Sequence, residues 1–259
     1  MRFVYPQSML EPQMPDELFA EEAKAMAAAG HGVHLIDTEA LARGPCRLRP
    51  ALEAGCQVAY RGWMLTYDDY VSLVASVERV GGSCMTSPDQ YIATHWLPNW
   101  YPVVQDDTPE TVFLDVGDNL VSALRTLGWG RFFVKDYVKS LKTSVGSVVD
   151  GPEQIEVVVS EMAKYRGFIE GGLCVRRVEE FVAGTEHRYF VMNQIPYAAK
   201  SDEVIPDIVR YCASRVASPF FSVDIARRTD GVDRVVEMGD GQVSDLVGWC
   251  VERFVDIWR

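Results

Sequence analysis

Two apolar runs that meet at an Asp-Gly pair, FFSVDIARRTDGVDRVVEMG over residues 220–239, restrict this chain more than any other stretch. Asp-Gly between alternating apolar runs signals a hairpin, because a two-residue type I′ turn needs positive φ at both central positions. With Asp230 and Gly231 in those positions, Thr229 faces Val232, Arg227 faces Arg234, Ile225 faces Val236, and Asp224 lies opposite Glu237. Opposed residues on one face have Cβ atoms about 4.5 to 5.5 Å apart, and like charges so placed destabilise a sheet. A cation is therefore expected between the two acids. It is either an arginine or lysine from another element or a divalent metal, and the hairpin alone leaves both open. Asp240, in the Gly-Asp-Gly corner that follows, brings a third carboxylate with no histidine or thiolate beside it. Hard oxygen ligands of this kind suit magnesium shared with substrate phosphates.

The chain has 259 residues, 48% of them apolar, which suffices for ordinary packed cores. No stretch approaches the roughly 18 apolar residues of a membrane span, and the N-terminal MRFVYPQSML lacks the pattern of a signal peptide. The expectation is a cytoplasmic protein with no membrane partner. Six cysteines without C-x-x-C spacing indicate neither a zinc site nor a disulfide framework. A net charge of -12 opposes nonspecific attraction to nucleic acid or anionic lipid.

Apolar strands at 2–5, 32–36 and 57–60, a strand beginning at Ser83, and helical runs at 16–29 and 67–80 predict a small α/β layer with parallel strands. Asp16 is a plausible N-cap and Gly30 a stop. Residues 91–111, aromatic and proline-punctuated, read as a connection. Beyond them the pattern turns to α+β: strands at 131–136, 172–182, 186–192, 196–200, 220–226 and 234–238, with helices at 118–127, 152–165 and 202–217.

Two further stretches carry charge where an apolar strand would not. Lys135 sits inside the apolar strand of RFFVKDYVKSLK, and an internal strand lysine needs an anionic partner unless it lies on a solvated edge. In VRRVEEFVAGTEHRYFVM, period-2 geometry places Glu186, Arg188, Phe190 and Met192 on one face. That face suits a nucleotide, or else a half-buried hairpin whose charges pair with each other. Arg61, in YRGWM at a strand end, suits a substrate carboxylate or a surface ion pair. Cys84 invites a nucleophile reading, but no base is placed near it and a buried thiol is the simpler account.

The pieces FVKDYVKS, EEFVAGTEHR and VVEMGDGQVSDL resemble, in order and spacing, the ATP-grasp superfamily, and in particular the small Arg-to-Lys clade of ATP-grasp proteins of bacteria and phages. The resemblance spans residues 91–246, while the first 85 match only in α/β style. It implies an α+β fold of two lobes gripping ATP, preceded by a small α/β domain: 1–90 for that domain, 91–181 for the N-terminal lobe with its phosphate loop, and 182–259 for the C-terminal lobe with the metal-binding hairpin. It also implies that Lys135 contacts the ATP phosphates, that Glu179, Glu180, Phe181 and Val182 meet the adenine edge, and that Glu186 accepts from the ribose. Asp224, Glu237 and Asp240 would hold magnesium. Arg188 and Lys200, with Lys135, would stabilise the transferred phosphoryl group or the substrate carboxylate. Arg61 and His95 are the substrate candidates from the N-terminal side, and residues 140–150, with Gly146, the lid.

The activity implied is a Mg²⁺- and ATP-dependent ligation of a carboxylate, an amino acid or a peptide or protein terminus, to an amine through an acyl phosphate, with release of ADP and phosphate. The alternatives are phosphoryl or nucleotidyl transfer to a small molecule or nucleic acid, and a noncatalytic nucleotide-binding module. Two departures stand out. Between Tyr91 and Trp100 only His95 occupies the place where the family carries another lysine, and Gly239 shifts Asp240 by one position.

Overall fold

The computed structural model describes residues 1–138 and 146–259. Strand β1 (Arg2–Pro6) buries every residue but Arg2. Asp16 accepts from Leu18 N at 3.0 Å, starting a short 3-10 turn that runs into helix α1 (Ala20–Ala28). Gly30, at φ +88°, reverses the chain into β2 (Gly32–Ile36). After β3 (Gln57–Tyr60), Thr66 caps α2 (Tyr67–Glu78) by accepting from Asp69 N at 3.2 Å, and β4 (Ser83–Cys84) follows. These four strands form a parallel sheet in the order β2-β1-β3-β4.

The stretch read as a connection is instead mostly helical. It holds α3 (Pro88–His95) and α4 (Leu97–Val104), with Pro102 inside the second. Proline discourages but does not forbid a helix, and here burial of Leu97, Trp100 and Val104 outweighs it. Next come β5 (Thr111–Leu114), α5 (Leu120–Leu127), β6 (Phe132–Asp136), β7 (Val148–Val149), α6 (Ile155–Arg166) and β8 (Leu173–Arg177). Asn119 caps α5 and Gly128 ends it in the left-handed conformation. The sheet order is β5-β8-β6-β7, with each neighbouring pair antiparallel. The expected lid falls in part outside the described residues: 140–145 lie there, as do Lys139 and Lys142.

The chain closes with β9 (His187–Met192), β10 (Ile195–Tyr197), α7 (Asp207–Arg215), β11 (Phe220–Arg227), β12 (Asp233–Asp240) and α8 (Val251–Asp256), the strands ordered β10-β9-β11-β12. The β11–β12 turn differs from the expected one. Gly231 N donates to Arg228 O at 2.8 Å, which centres the turn on Thr229 and Asp230, and Arg228 N donates to Val232 O at 2.8 Å. Gly231 has φ +89° while Asp230 keeps an ordinary negative φ, so a type I′ turn does not form. The loop gains a residue at the turn, while at the far end of the two strands Gly241 N donates to Phe220 O at 3.1 Å, the register expected from a two-residue loop.

The described chain gathers into two compact units: Met1–Thr94 with Arg188–Val223 and Gly239–Arg259, and His95–His187 with Asp224–Met238. In the first, Phe3 and Tyr5 of β1 share a core with Phe190, Phe220, Trp249 and Phe254. A second cluster there includes Val4, Tyr60, Tyr70 and Tyr91, the last two stacked at 4.2 Å between centroids. In the other unit, Leu124, Phe132, Val134, Val158, Met162 and Val175 form the core. All six cysteines are free. Among the described residues no helix is long and apolar enough to cross a membrane.

Candidate active site

The antiparallel register of β6 and β8 decides what each face of their sheet carries. Phe132, Val134, Leu173 and Val175 go into the core with residues of α5 and α6. Opposed residues project to the same side, so the pairs Phe133–Arg176 and Lys135–Cys174 share the other face. That face lines a cavity of about 630 Å³, which also takes in Glu179, Phe181, Val182, Glu186, Val236 and Glu237.

Lys135 is 5% exposed. Its Nζ donates to Glu237 Oε1 at 3.0 Å, and the Glu237 side chain, 43% exposed, stands at the cavity wall. The cation beside Glu237 is thus an ammonium carried by a strand of the neighbouring sheet. Two residues expected to act at the same site, one on phosphate and one on metal, here neutralise each other.

The hinge is held on one edge. Val182 N donates to Arg227 O at 2.8 Å and Thr229 N to Glu180 O at 2.9 Å, on either side of the Phe181–Arg228 bridge. Backbone groups alternate in direction along an extended strand, so the Phe181 N–H and C=O point to the opposite edge. The hinge carboxylates are already engaged. Glu179 is gripped by Arg234, with Nη2 at 3.0 Å and Nε at 3.1 Å, and by Arg228 at 3.5 Å; Glu180 pairs with Arg131 at 3.0 Å. What the hinge presents to a ligand is therefore backbone and the apolar side chains of Phe181 and Val182. Glu186 is exposed at the cavity.

The remaining expected residues are placed as follows. Asp224 is buried on β11, in the same compact unit as Glu237. Asp240 belongs to the other unit and is fully buried, its Oδ1 accepting from Gln242 N and Nε2 at 3.0 Å each. Burial pushes its carboxyl up to about 7, against the lowering effect of those bonds. Among the described residues no three His, Cys, Asp or Glu side chains form a metal-holding group, so the three expected ligands are not gathered as one.

Arg61 is buried and committed inward. Its Nε and Nη2 donate to Glu22 at 2.8 Å each, and Nη1 donates to Gly241 O at 2.6 Å and Ser244 O at 3.0 Å. Arg61 thus forms an ion pair, but a buried one and not the surface pair expected, because Glu22 of α1 is itself buried beside it. His95 is buried at the end of α3. Arg188 donates to Asp245 O at 2.8 Å. Phe190 and Met192, expected to share a nucleotide-binding face with it, lie in the core of the first unit because β9 is covered there by α8 and β1 residues. Lys200 is exposed beyond β10. Burial pushes the Cys84 thiol up to about 12, which makes it a poor nucleophile.

Sequence reasoning missed Arg176 in the cavity wall, the Arg228–Glu179–Arg234 group behind the hinge, and Glu22 as the partner of Arg61. The doublet Arg176-Arg177 inside an apolar strand was a signal of the first. The others join residues far apart in the chain and left none.

Residues 126–258, just over half of the chain, match the family model described as ATP-grasp domain, R2K clade family 3. No curated protein matches the sequence. Among solved structures, the fold is similar to a RimK domain protein ATP-grasp from Sphaerobacter thermophilus DSM 20745, with TM-score 0.65 and 15% identity over 99% of this chain and 98% of that one. It is similar to D-cycloserine synthetase DcsG, with TM-score 0.65 and 13% identity over 100% and 98% of the two chains. It is also similar to macrocyclase MdnC from Microcystis aeruginosa MRC, crystallised with its precursor peptide MdnA, with TM-score 0.62 and 11% identity over 99% of each.

Proposed function

The chain belongs to family 3 of the R2K clade of ATP-grasp domains, and on that basis we propose that it is an ATP- and magnesium-dependent ligase joining a carboxylate to an amine. ATP and Mg²⁺ are the nucleotide and ion of this family, and the residues present suit them. The cavity of about 630 Å³ lies in the size range of small-ligand sites. It offers a buried ammonium for phosphate, a hinge with apolar side chains and one backbone edge turned away from its partner strand for a base, and Glu186 for a ribose. Asp224 and Glu237 are the magnesium ligands of this reading, in keeping with an ion usually held by one or two carboxylates plus substrate phosphates. Bound there, the ion would neutralise charge on the phosphate oxygens.

In the proposed reaction a substrate carboxylate oxygen attacks the γ-phosphorus, the bond to the bridging oxygen breaks, and ADP leaves. The amine then attacks the acyl carbon, phosphate departs, and the amine loses a proton. The chain's own contribution is alignment and charge neutralisation. Lys135, held in a rigid strand, faces the negative charge that spreads during phosphoryl transfer. Arg188 and Lys200, in the first compact unit, are the candidates for the phosphoryl group or the substrate carboxylate. The relatives whose names mention a precursor peptide or D-cycloserine support amino acid or peptide carboxylates as the substrates to try first.

The observation that carries this reading is the buried Lys135 ammonium, 3.0 Å from Glu237, in the wall of that cavity. Calorimetric titration with ATP and magnesium should show binding to the wild-type chain and at least tenfold weaker binding to Lys135→Ala; unchanged affinity would refute the assignment. Screening amino acids in pairs should then release ADP and phosphate. AMP and pyrophosphate would point instead to adenylylation.

A further inference from the structure

Arg176 is a buried cation with no part in the proposed reaction. It projects from β8 onto the cavity face, opposite Phe133. Its Nη1 donates to Val236 O at 2.6 Å and its Nη2 to Thr108 Oγ1 at 2.6 Å. Thr108 Oγ1 donates in turn to Val235 O at 2.7 Å, and Val235 N donates to Asp107 O at 2.8 Å. The Trp100 ring lies 5.9 Å from the guanidinium carbon. Among the described residues no carboxylate forms an ion pair with Arg176, and its Nε is buried without an acceptor.

A guanidinium taken out of water without a carboxylate is expensive. Burial pulls Arg176 down to about 10, with the charge of Glu237 the largest influence in the other direction. If the position served packing alone, an apolar side chain of similar length would fill it at less cost. What only arginine supplies is a flat, two-pronged donor that spans an acceptor on β12 and another on the 106–108 segment. The bond to β12 falls on Val236, and the next residue is Glu237.

We propose that Arg176 is a positioning residue for magnesium-nucleotide binding: by holding the Val236 carbonyl against Thr108, it fixes the stretch of β12 from which Glu237 presents its carboxylate to the cavity. The inference rests on the nucleotide reading of that cavity. Partners that orient a metal ligand typically contribute about 10- to 100-fold to metal affinity.

Binding of a non-hydrolysable ATP analogue to the full chain would be followed by calorimetry in EDTA and across a magnesium series. Arg176→Met should raise the magnesium concentration needed for tight binding about tenfold, with little change in the affinity measured in EDTA. Arg176→Lys keeps a charge but loses the fork, and Thr108→Val removes one anchor of that fork; each should shift the magnesium requirement in the same direction by less. Lys135→Ala should behave oppositely, losing affinity in EDTA as well. Should Arg176→Met lack native near-UV circular dichroism, the other two variants decide. Folded variants with wild-type magnesium dependence, or with equal losses in EDTA and magnesium, would overturn this inference while leaving the nucleotide reading intact. Absence of analogue binding by the wild-type chain would overturn both.

Discussion

Lys135 and Glu237 come from strands 102 positions apart in the chain, and each supplies the charge the other lacks. Because the Glu237 side chain is 43% exposed, solvent screening keeps the pair from being a strong clamp. Under the proposed function it would open as phosphate competes for the ammonium and magnesium for the carboxylate. Asp240 is held differently. Its folded-state carboxyl sits near 7, above the ordinary value of 3.8, because burial disfavours its charged form. A group raised in this way contributes stability that is fully present below about pH 4 and is lost as the pH rises through about 7. Asp240→Asn removes that titration. The variant should melt several degrees above wild type at pH 8 and show a smaller gain at pH 5, read by calorimetry at both values; a gain independent of pH would show that Asp240 is not the titrating group.

At the level of elements, the turn between β11 and β12 shows how one residue changes a prediction. Asp-Gly correctly marks the reversal, but the hydrogen bond from Gly231 N to Arg228 O places glycine after the turn and not inside it. Gly231 still needs its positive φ of +89°, in open space where a Cβ would meet nothing within 4 Å. Gly231→Ala should thus cost about 1 kcal/mol through backbone conformation alone. Gly117→Ala, also in open space but without a positive φ, serves as the control and should be close to neutral. Equal melting temperatures for the two variants would contradict the assignment. The lysine strand and the hinge were legible because each is a local pattern: an ammonium interrupting apolar residues, and paired acids before a glycine. Helices α3 and α4 were not, since their aromatic and proline-rich composition resembles a loop until burial of Tyr91, Leu97 and Trp100 is known. Strands β5 and β7, of 4 and 2 residues, are too short to show a period.

At the scale of the molecule, the first compact unit is assembled from three stretches of sequence. Phe3, Tyr5 and Met26 pack with Phe190, Phe220, Trp249 and Phe254, and Arg61 is tied to carbonyls of Gly241 and Ser244. Residues 1–94 expressed alone would lose those partners. They should lack the near-UV circular dichroism of fixed aromatic packing and bind a hydrophobic dye; native-like spectra from the fragment would refute this dependence. What the sequence by itself determined are the α/β start, the ATP-grasp family, and the strand lysine and acidic hinge as local patterns, since periodicity and short motifs are written in neighbouring residues. Only the tertiary structure decided that Lys135 answers Glu237, that Arg61 answers Glu22, that Phe190 and Met192 serve a core, and that Arg176 reaches Val236. Those are contacts between distant segments, and their partners are chosen by how sheets and helices pack once the chain has closed its loops, which no local pattern records.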